Sequence, residues 1–318
     1  MQHQNSSIFN FRKFCINFLL PFTISIVMFG LVFNFLFEKY IIFKSEISGA
    51  SKINKIITED NSQEIPLFGS SRAEGIFIPD ELGTNFYNYG ISGTQDNVML
   101  FFLQQEVSKK KNAPIILNFD LDGLSNSLFD ISNYIPNSNN NHIKELIGNE
   151  YKMWFKIPFI KYYGKYELYI KLLLSSKIGL TKFINKGAQI EKNELTNKKF
   201  NELVVQRENT VETFYNDPIL LKKYLTLFQS NKNRLFIIII SPYHESYFKK
   251  YANYNEAISF INKMDSFPNV KVFNFAKFPL NDSLFINTTH LNYKGALKFN
   301  AILKDSLNPY ITNTYFTK

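Results

Sequence analysis

The sequence predicts an α/β protein: a five-stranded parallel sheet covered on both faces by helices, a three-layer α/β/α sandwich, behind an N-terminal transmembrane helix. Three observations carry this reading. Phe14 to Phe37 holds no charged residue across 24 positions. Five short apolar runs alternate with amphipathic stretches: Ile65–Phe68, Phe86–Tyr89, Pro114–Phe119, Leu235–Ser241 and Val270–Phe275. The fourth run is apolar without alternation, as suits a parallel strand buried on both faces. Strands alternating with helices imply crossover units and an open sheet.

The elements follow in order. As a helix, residues 14–37 would span roughly 36 Å, enough to cross a hydrocarbon core with some tilt. Arg12 and Lys13 precede the run, and Glu38 and Lys39 follow it. The positive-inside rule then places residues 1–13 in the cytoplasm and the rest outside, although Lys44, Lys52 and Lys55 weaken the bias. A cleaved signal peptide fits less well. The run is long for one, and no small-x-small site follows before Ser48-Gly49-Ala50. Residues 38–62 read as a polar connector with some helix, and residues 63–310 as the folded domain. Helices are expected over Gln95–Lys109, Glu245–Met264 and Tyr293–Asp305. Between the third and fourth strands lies an insertion, about 124–232, which opens on Asn137-Ser138-Asn139-Asn140-Asn141 and reads mostly helical. Within it, Tyr151 to Tyr169 interleaves aromatics with lysines. That pattern fits a cap touching membrane or glycan, and equally a helical subdomain with its own aromatic core.

Composition narrows the class. The chain has 318 residues, 45% hydrophobic and 20% charged, which suits a packed protein of one large domain or two small ones. The net charge of +9 fits an anionic membrane or glycan nearby, and equally a solvated lysine-rich surface. No arginine-rich cluster or nucleic-acid motif occurs, so nucleic acid is not an expected partner. The single cysteine, Cys15, excludes a disulfide framework and a cysteine-based zinc site. A two-metal phosphodiesterase would need clustered histidines and carboxylates, and the sequence offers none.

Two short segments carry the chemistry. Gly69-Ser70-Ser71-Arg72 follows the first strand, and Thr289-His290-Leu291-Asn292 precedes the last helix. A serine needs a base to take its proton before it becomes a nucleophile. A tight strand-to-helix turn exposes its oxygen and aims backbone N–H groups at a developing oxyanion. Open parallel sheets form sites at the carboxyl ends of their strands, where the serine segment falls. Of the four histidines, His3 precedes the membrane run and His142 follows the asparagine run. His244 follows the fourth strand and could also approach the site. His290 opens the last helix.

In their order and strand context these motifs, with Asn287-Thr288-Thr289-His290-Leu291-Asn292-Tyr293-Lys294-Gly295-Ala296, resemble the SGNH (GDSL-like) hydrolase superfamily. The chain is most similar to membrane-anchored, extracytoplasmic members that move acyl groups on cell-envelope polymers. The resemblance covers about residues 64–120 and 234–305, not the insertion, and implies a flavodoxin-like sheet. It makes Ser71 the nucleophile, with Ser70 where the family often has aspartate; a one-residue shift would make Ser70 the nucleophile. His290 becomes the base, and the backbone N–H groups of Ser71 and Gly93 form the oxyanion hole. Asn118 is the nearest third donor, unless Asp120 takes that position; an ionised aspartate cannot donate. Asn287 stands where the family's Asp-x-x-His has its acid. An asparagine can accept from the ring N–H but carries no charge to stabilise an imidazolium. Asp282 or a backbone carbonyl could serve instead. Arg72 either binds an anionic part of the substrate or is a surface charge. The resemblance implies no metal or cofactor. It implies acyl transfer or ester hydrolysis on an envelope glycan or lipid-linked sugar, with a multispanning acyl-donor protein as partner. Asn287 also leaves open an anchored binding or assembly module that does no chemistry.

Overall fold

The computed structural model describes residues 11–60, 63–124, 131–178, 182–192 and 194–316, with side chains as far as residue 311. Most of the expected cytoplasmic segment, residues 1–10 with His3, lies outside the described residues.

One helix, α1 (Phe11–Ile42), is long and apolar enough to cross a membrane. It carries the expected run and continues through Glu38. Next comes α2 (Gly49–Thr58). The expected connector is corrected here: Ile53 and Ile56 are buried in the main core, and so is the whole of Lys52. The spacing of these residues puts them on one helical face, so α2 belongs to the domain.

Five strands form the central sheet: β1 (Ile65–Phe68), β2 (Phe86–Asn88), β3 (Ile115–Asn118), β6 (Phe236–Ile240) and β7 (Val270–Asn274). All pairings are parallel, in the order β2-β1-β3-β6-β7. Pro66 sits in an interior strand, where a missing N–H usually costs a ladder bond. Ile65 and Leu67 bond β2, so the missing N–H of Pro66 falls on the β3 side, where the ladder begins only at Leu67. Alternate strand residues feed two separate cores. Phe236, Ile238 and Ile240 join Phe68, Ile115 and Leu117 under α2, α4 (Asp96–Ser108), α7 (Pro218–Ser230) and α8 (Tyr254–Asp265). Ile237 and Ile239 join Ile65, Leu67 and Ile116 under α3 (Ser71–Ile76) and α9 (Tyr293–Phe316). This is why β6 shows no polar alternation: both of its faces are dry.

The described part of the insertion is mostly helical, as expected, with one strand pair added. Besides α5 (Tyr166–Ile178) and α6 (Asn197–Asn209), it holds an antiparallel hairpin, β4 (Lys182–Asn185) with β5 (Ala188–Glu191). The second predicted crossover helix also starts late: Glu245–Phe248 is a short 3-10 turn, and α8 follows at Tyr254. A second small hairpin, β8 (Phe285–Asn287) with β9 (His290–Leu291), precedes α9.

Candidate active site

The sheet order reverses between β1 and β3, and such a switch point opens a crevice at the carboxyl ends of the strands. Here it is a cleft of about 330 Å³ that Ser71, Arg72, Gly93, Asn118 and His290 all line.

The serine segment is built by a turn that only glycine fits. Gly69 has φ +151°, and a Cβ there would meet Ala73 Cβ at 2.5 Å and Asn118 Cβ at 3.0 Å. Ser70 caps α3, its Oγ accepting from the Arg72 N–H at 3.4 Å. Its hydroxyl donates to Asp120. Ser71 is the first residue of α3, a position whose N–H has no partner within the helix. Its Oγ lies 3.0 Å from His290 Nε2. The hydroxyl facing the imidazole is thus Ser71's, and Ser70's is turned to Asp120.

His290 comes from the β8–β9 hairpin rather than from the final helix, which starts at Tyr293. Asn292 caps that helix, accepting from the Gly295 N–H at 3.0 Å. Asn287 Oδ1 receives the backbone N–H groups of Thr289 at 2.9 Å and His290 at 2.8 Å. Backbone N–H groups can only donate, so the oxygen, not the amide nitrogen, faces them. The same oxygen lies 3.2 Å from His290 Nδ1, and Thr289 Oγ1 lies 3.0 Å from that nitrogen. A proton on Nδ1 satisfies this arrangement and leaves Nε2 free to accept from Ser71. Burial, with the Arg72 charge added, lowers the imidazole to about 4. It is therefore neutral at pH 7, as a general base must be.

The structure places three further expected residues. Asp282 does not reach His290. It lies 3.1 Å from His244 Nε2, while His244 Nδ1 meets Ser246 Oγ at 2.8 Å. His244 is buried between the rings of Phe200 and Phe285, apart from the dyad. Arg72 is not a surface charge. It is 4% exposed, and its guanidinium donates to the carbonyls of Thr289, Ser241 and Pro242 and to Ser241 Oγ. It also lies 3.4 Å above the Tyr243 ring, and its Nε is 3.1 Å from Asp120 Oδ1. It ties the start of α3 to the loop carrying His290. Asn118 ends β3, and its amide donates to Asp120 Oδ1 at 2.8 Å, so one of its two N–H groups is already engaged. Burial pushes the Asp120 carboxyl above the usual range, against the pull of Arg72. Gly93 lies at the cleft with φ +76°, a conformation that favours glycine.

Several residues in and behind the cleft wall carry no sequence signal. Tyr243 and Ser241, just after β6, hold Arg72. Arg207, on α6 of the insertion, donates from Nε to Thr288 Oγ1 at 3.1 Å and pairs with Glu212; both line the cleft. No local motif marks these residues: Ser241 and Tyr243 meet Arg72, and Arg207 meets Thr288, across long stretches of chain.

No protein-family model matches the chain, and no curated protein matches it. Among solved structures it is similar to "a putative platelet activating factor from Streptococcus pneumonia", with 11% identity and a TM-score of 0.39, covering 87% of this chain and 96% of that one. That likeness is too loose to carry an inference about activity.

Proposed function

We propose that this chain is a single-pass membrane protein whose domain, a three-layer α/β/α sandwich, faces outside the cytoplasm and catalyses serine-dependent acyl transfer or ester hydrolysis. One observation carries the reading: Ser71 Oγ stands 3.0 Å from a neutral imidazole whose far nitrogen is held by Asn287. Ser71 Oγ attacks the ester carbonyl as His290 Nε2 takes its proton. The Ser71 and Gly93 N–H groups stabilise the tetrahedral oxyanion. Collapse breaks the ester C–O bond, and the leaving alkoxide takes the proton back from His290. Water or a sugar hydroxyl then attacks the acyl-serine by the same route, giving hydrolysis or transfer. No cofactor or metal enters these steps. The motif resemblance supports an envelope glycan or lipid-linked sugar as substrate, and a multispanning acyl-donor protein as partner. Arg72 is a positioning residue in this scheme.

A second reading is an anchored binding or assembly module on the same fold. Asn287 favours it, because the imidazolium that forms in catalysis lacks a carboxylate. Full-length protein in detergent, treated with a fluorophosphonate and weighed intact, separates the two. The enzyme reading expects one adduct, lost in Ser71→Ala and in His290→Ala. A folded wild-type protein that takes no label would favour the binding module.

A further inference from the structure

The apolar helix α1 is packed along its C-terminal half by residues 153–163 of the insertion. Gly30 is buried there, and a Cβ on it would meet Pro158 Cβ at 2.5 Å and Phe159 Cε2 at 2.7 Å. The Phe159 ring lies against Phe29 and Phe33, with centroids 6.0 and 5.7 Å apart. Phe159 holds φ +62°, a left-handed conformation that a bulky residue keeps only when its surroundings impose it. Higher on the helix, Lys161 Nζ pairs with Glu38 at 2.7 Å, and the Tyr162 hydroxyl donates to the same carboxylate. The segment is thus fixed beside α1 from Phe29 to Glu38. Phe155 is buried, but five apolar side chains are open: Met153, Trp154, Ile157, Ile160 and Tyr163 are 71%, 50%, 46%, 48% and 86% exposed.

We propose that residues 153–163 enter the bilayer beside α1 and touch lipid directly, a second membrane attachment that sets the height of the domain. The proposal rests on the reading of α1 as a spanning helix. Glu38 is the first charge after the apolar run, so it marks the edge of the hydrocarbon. Gly30 lies eight residues earlier, about 12 Å along the helix axis. Phe159, in contact with Gly30, shares that depth, within a leaflet whose hydrocarbon is roughly 15 Å thick. Backbone at such a depth must satisfy its own polar groups. The N–H groups of Phe155, Ile157, Ile160, Lys161 and Tyr163 all bond to carbonyls of residues 152–160 at 2.8–3.0 Å, and Pro158 has none to satisfy. Lys156, the exposed charge within the segment, has a stem long enough to carry its ammonium to the headgroups. Trp154 and Tyr163 each pair an apolar ring with a polar group, the chemistry of the bilayer boundary.

Trp154 is the only tryptophan in the chain, so the native protein carries its own probe. Full-length protein is placed in phosphatidylcholine vesicles with and without brominated acyl chains. The proposal expects a several-fold loss of Trp154 emission with bromolipid and no quenching by aqueous iodide. A Trp154→Phe/Phe22→Trp chain reports α1 alone. If its emission is quenched by bromolipid while Trp154 is not, the segment lies in water or under protein, and the proposal falls although the span stands. If neither is quenched, α1 does not span and both readings fall.

Discussion

At the scale of the residue, the imidazole beside Ser71 is held by Asn287 rather than by a carboxylate. The imidazole of His290 is lowered from 6.5 to about 4, first by burial and then by Arg72. The unfolded chain therefore binds a proton near pH 6.5 that the folded chain binds only near pH 4. Between these values the unfolded state holds more protons, so stability falls as pH drops through that window and is fully present above it. The same value places the acid limb of the labelling rate near pH 4, measurable as rate against pH. Asn287→Asp puts a charge beside Nδ1 and keeps an oxygen for the Thr289 and His290 N–H groups. It is expected to raise the imidazole by about 1–3 units, as an adjacent opposite charge does. The acid limb should move up with it, and labelling at pH 8 should quicken. An unmoved limb would mean that Asn287 does not govern His290. The Asn287-x-x-His290 pairing was legible in the sequence because its members sit three residues apart. The fate of Asp282 was not, since a hairpin decides which histidine it meets.

At the scale of the element, the β1–α3 turn sets the position of Ser71. Its glycine is the one residue that clears both Ala73 and Asn118. Gly69→Ala is expected to destabilise the protein by about 1–3 kcal/mol through backbone strain, and to slow fluorophosphonate labelling. Thermal unfolding in detergent and the labelling rate check the two effects; wild-type behaviour in both would show that the turn tolerates a side chain. The five sheet strands were legible to within one or two residues: the dry ones read as apolar runs, and the half-buried edge strand β7 as a short β-branched and aromatic run. The β4–β5 hairpin was not. Its residues are mostly half-buried, so Lys182–Glu191 shows no continuous apolar run. Only packing of Ala188 and Ile190 against Ile78, just after α3, and Ala296 of α9 gives it a core.

At the scale of the whole molecule, the apolar helix α1 and the domain pack together rather than standing apart on a tether. Phe37, Ile42 and Ala50 share a cluster with Ile135, Phe155, Tyr162 and Tyr169. Lys52 on α2 pairs with Glu74 on α3 at 2.7 Å, joining the segment after the anchor to the helix that carries Ser71. A chain shortened to residues 45–318 loses Phe37, Ile42 and Glu38, uncovering that cluster and leaving Lys161 without its carboxylate. It is expected to bind a hydrophobic dye more strongly than the full chain and to unfold at a lower temperature. Equal dye binding and an equal midpoint would show the anchor to be dispensable for the fold.

The sequence by itself determined the apolar span, the alternation of strands and helices, and the serine and histidine segments, since each is written in neighbouring residues. Tertiary structure alone decided that Ser71 rather than Ser70 faces the imidazole. It also turned Arg72 inward, although its partners Ser241 and Thr289 are 169 and 217 residues away. Periodicity reports which face of an element is dry. It carries no record of which distant polar groups must meet to satisfy a buried charge, and that need is what shapes this cleft.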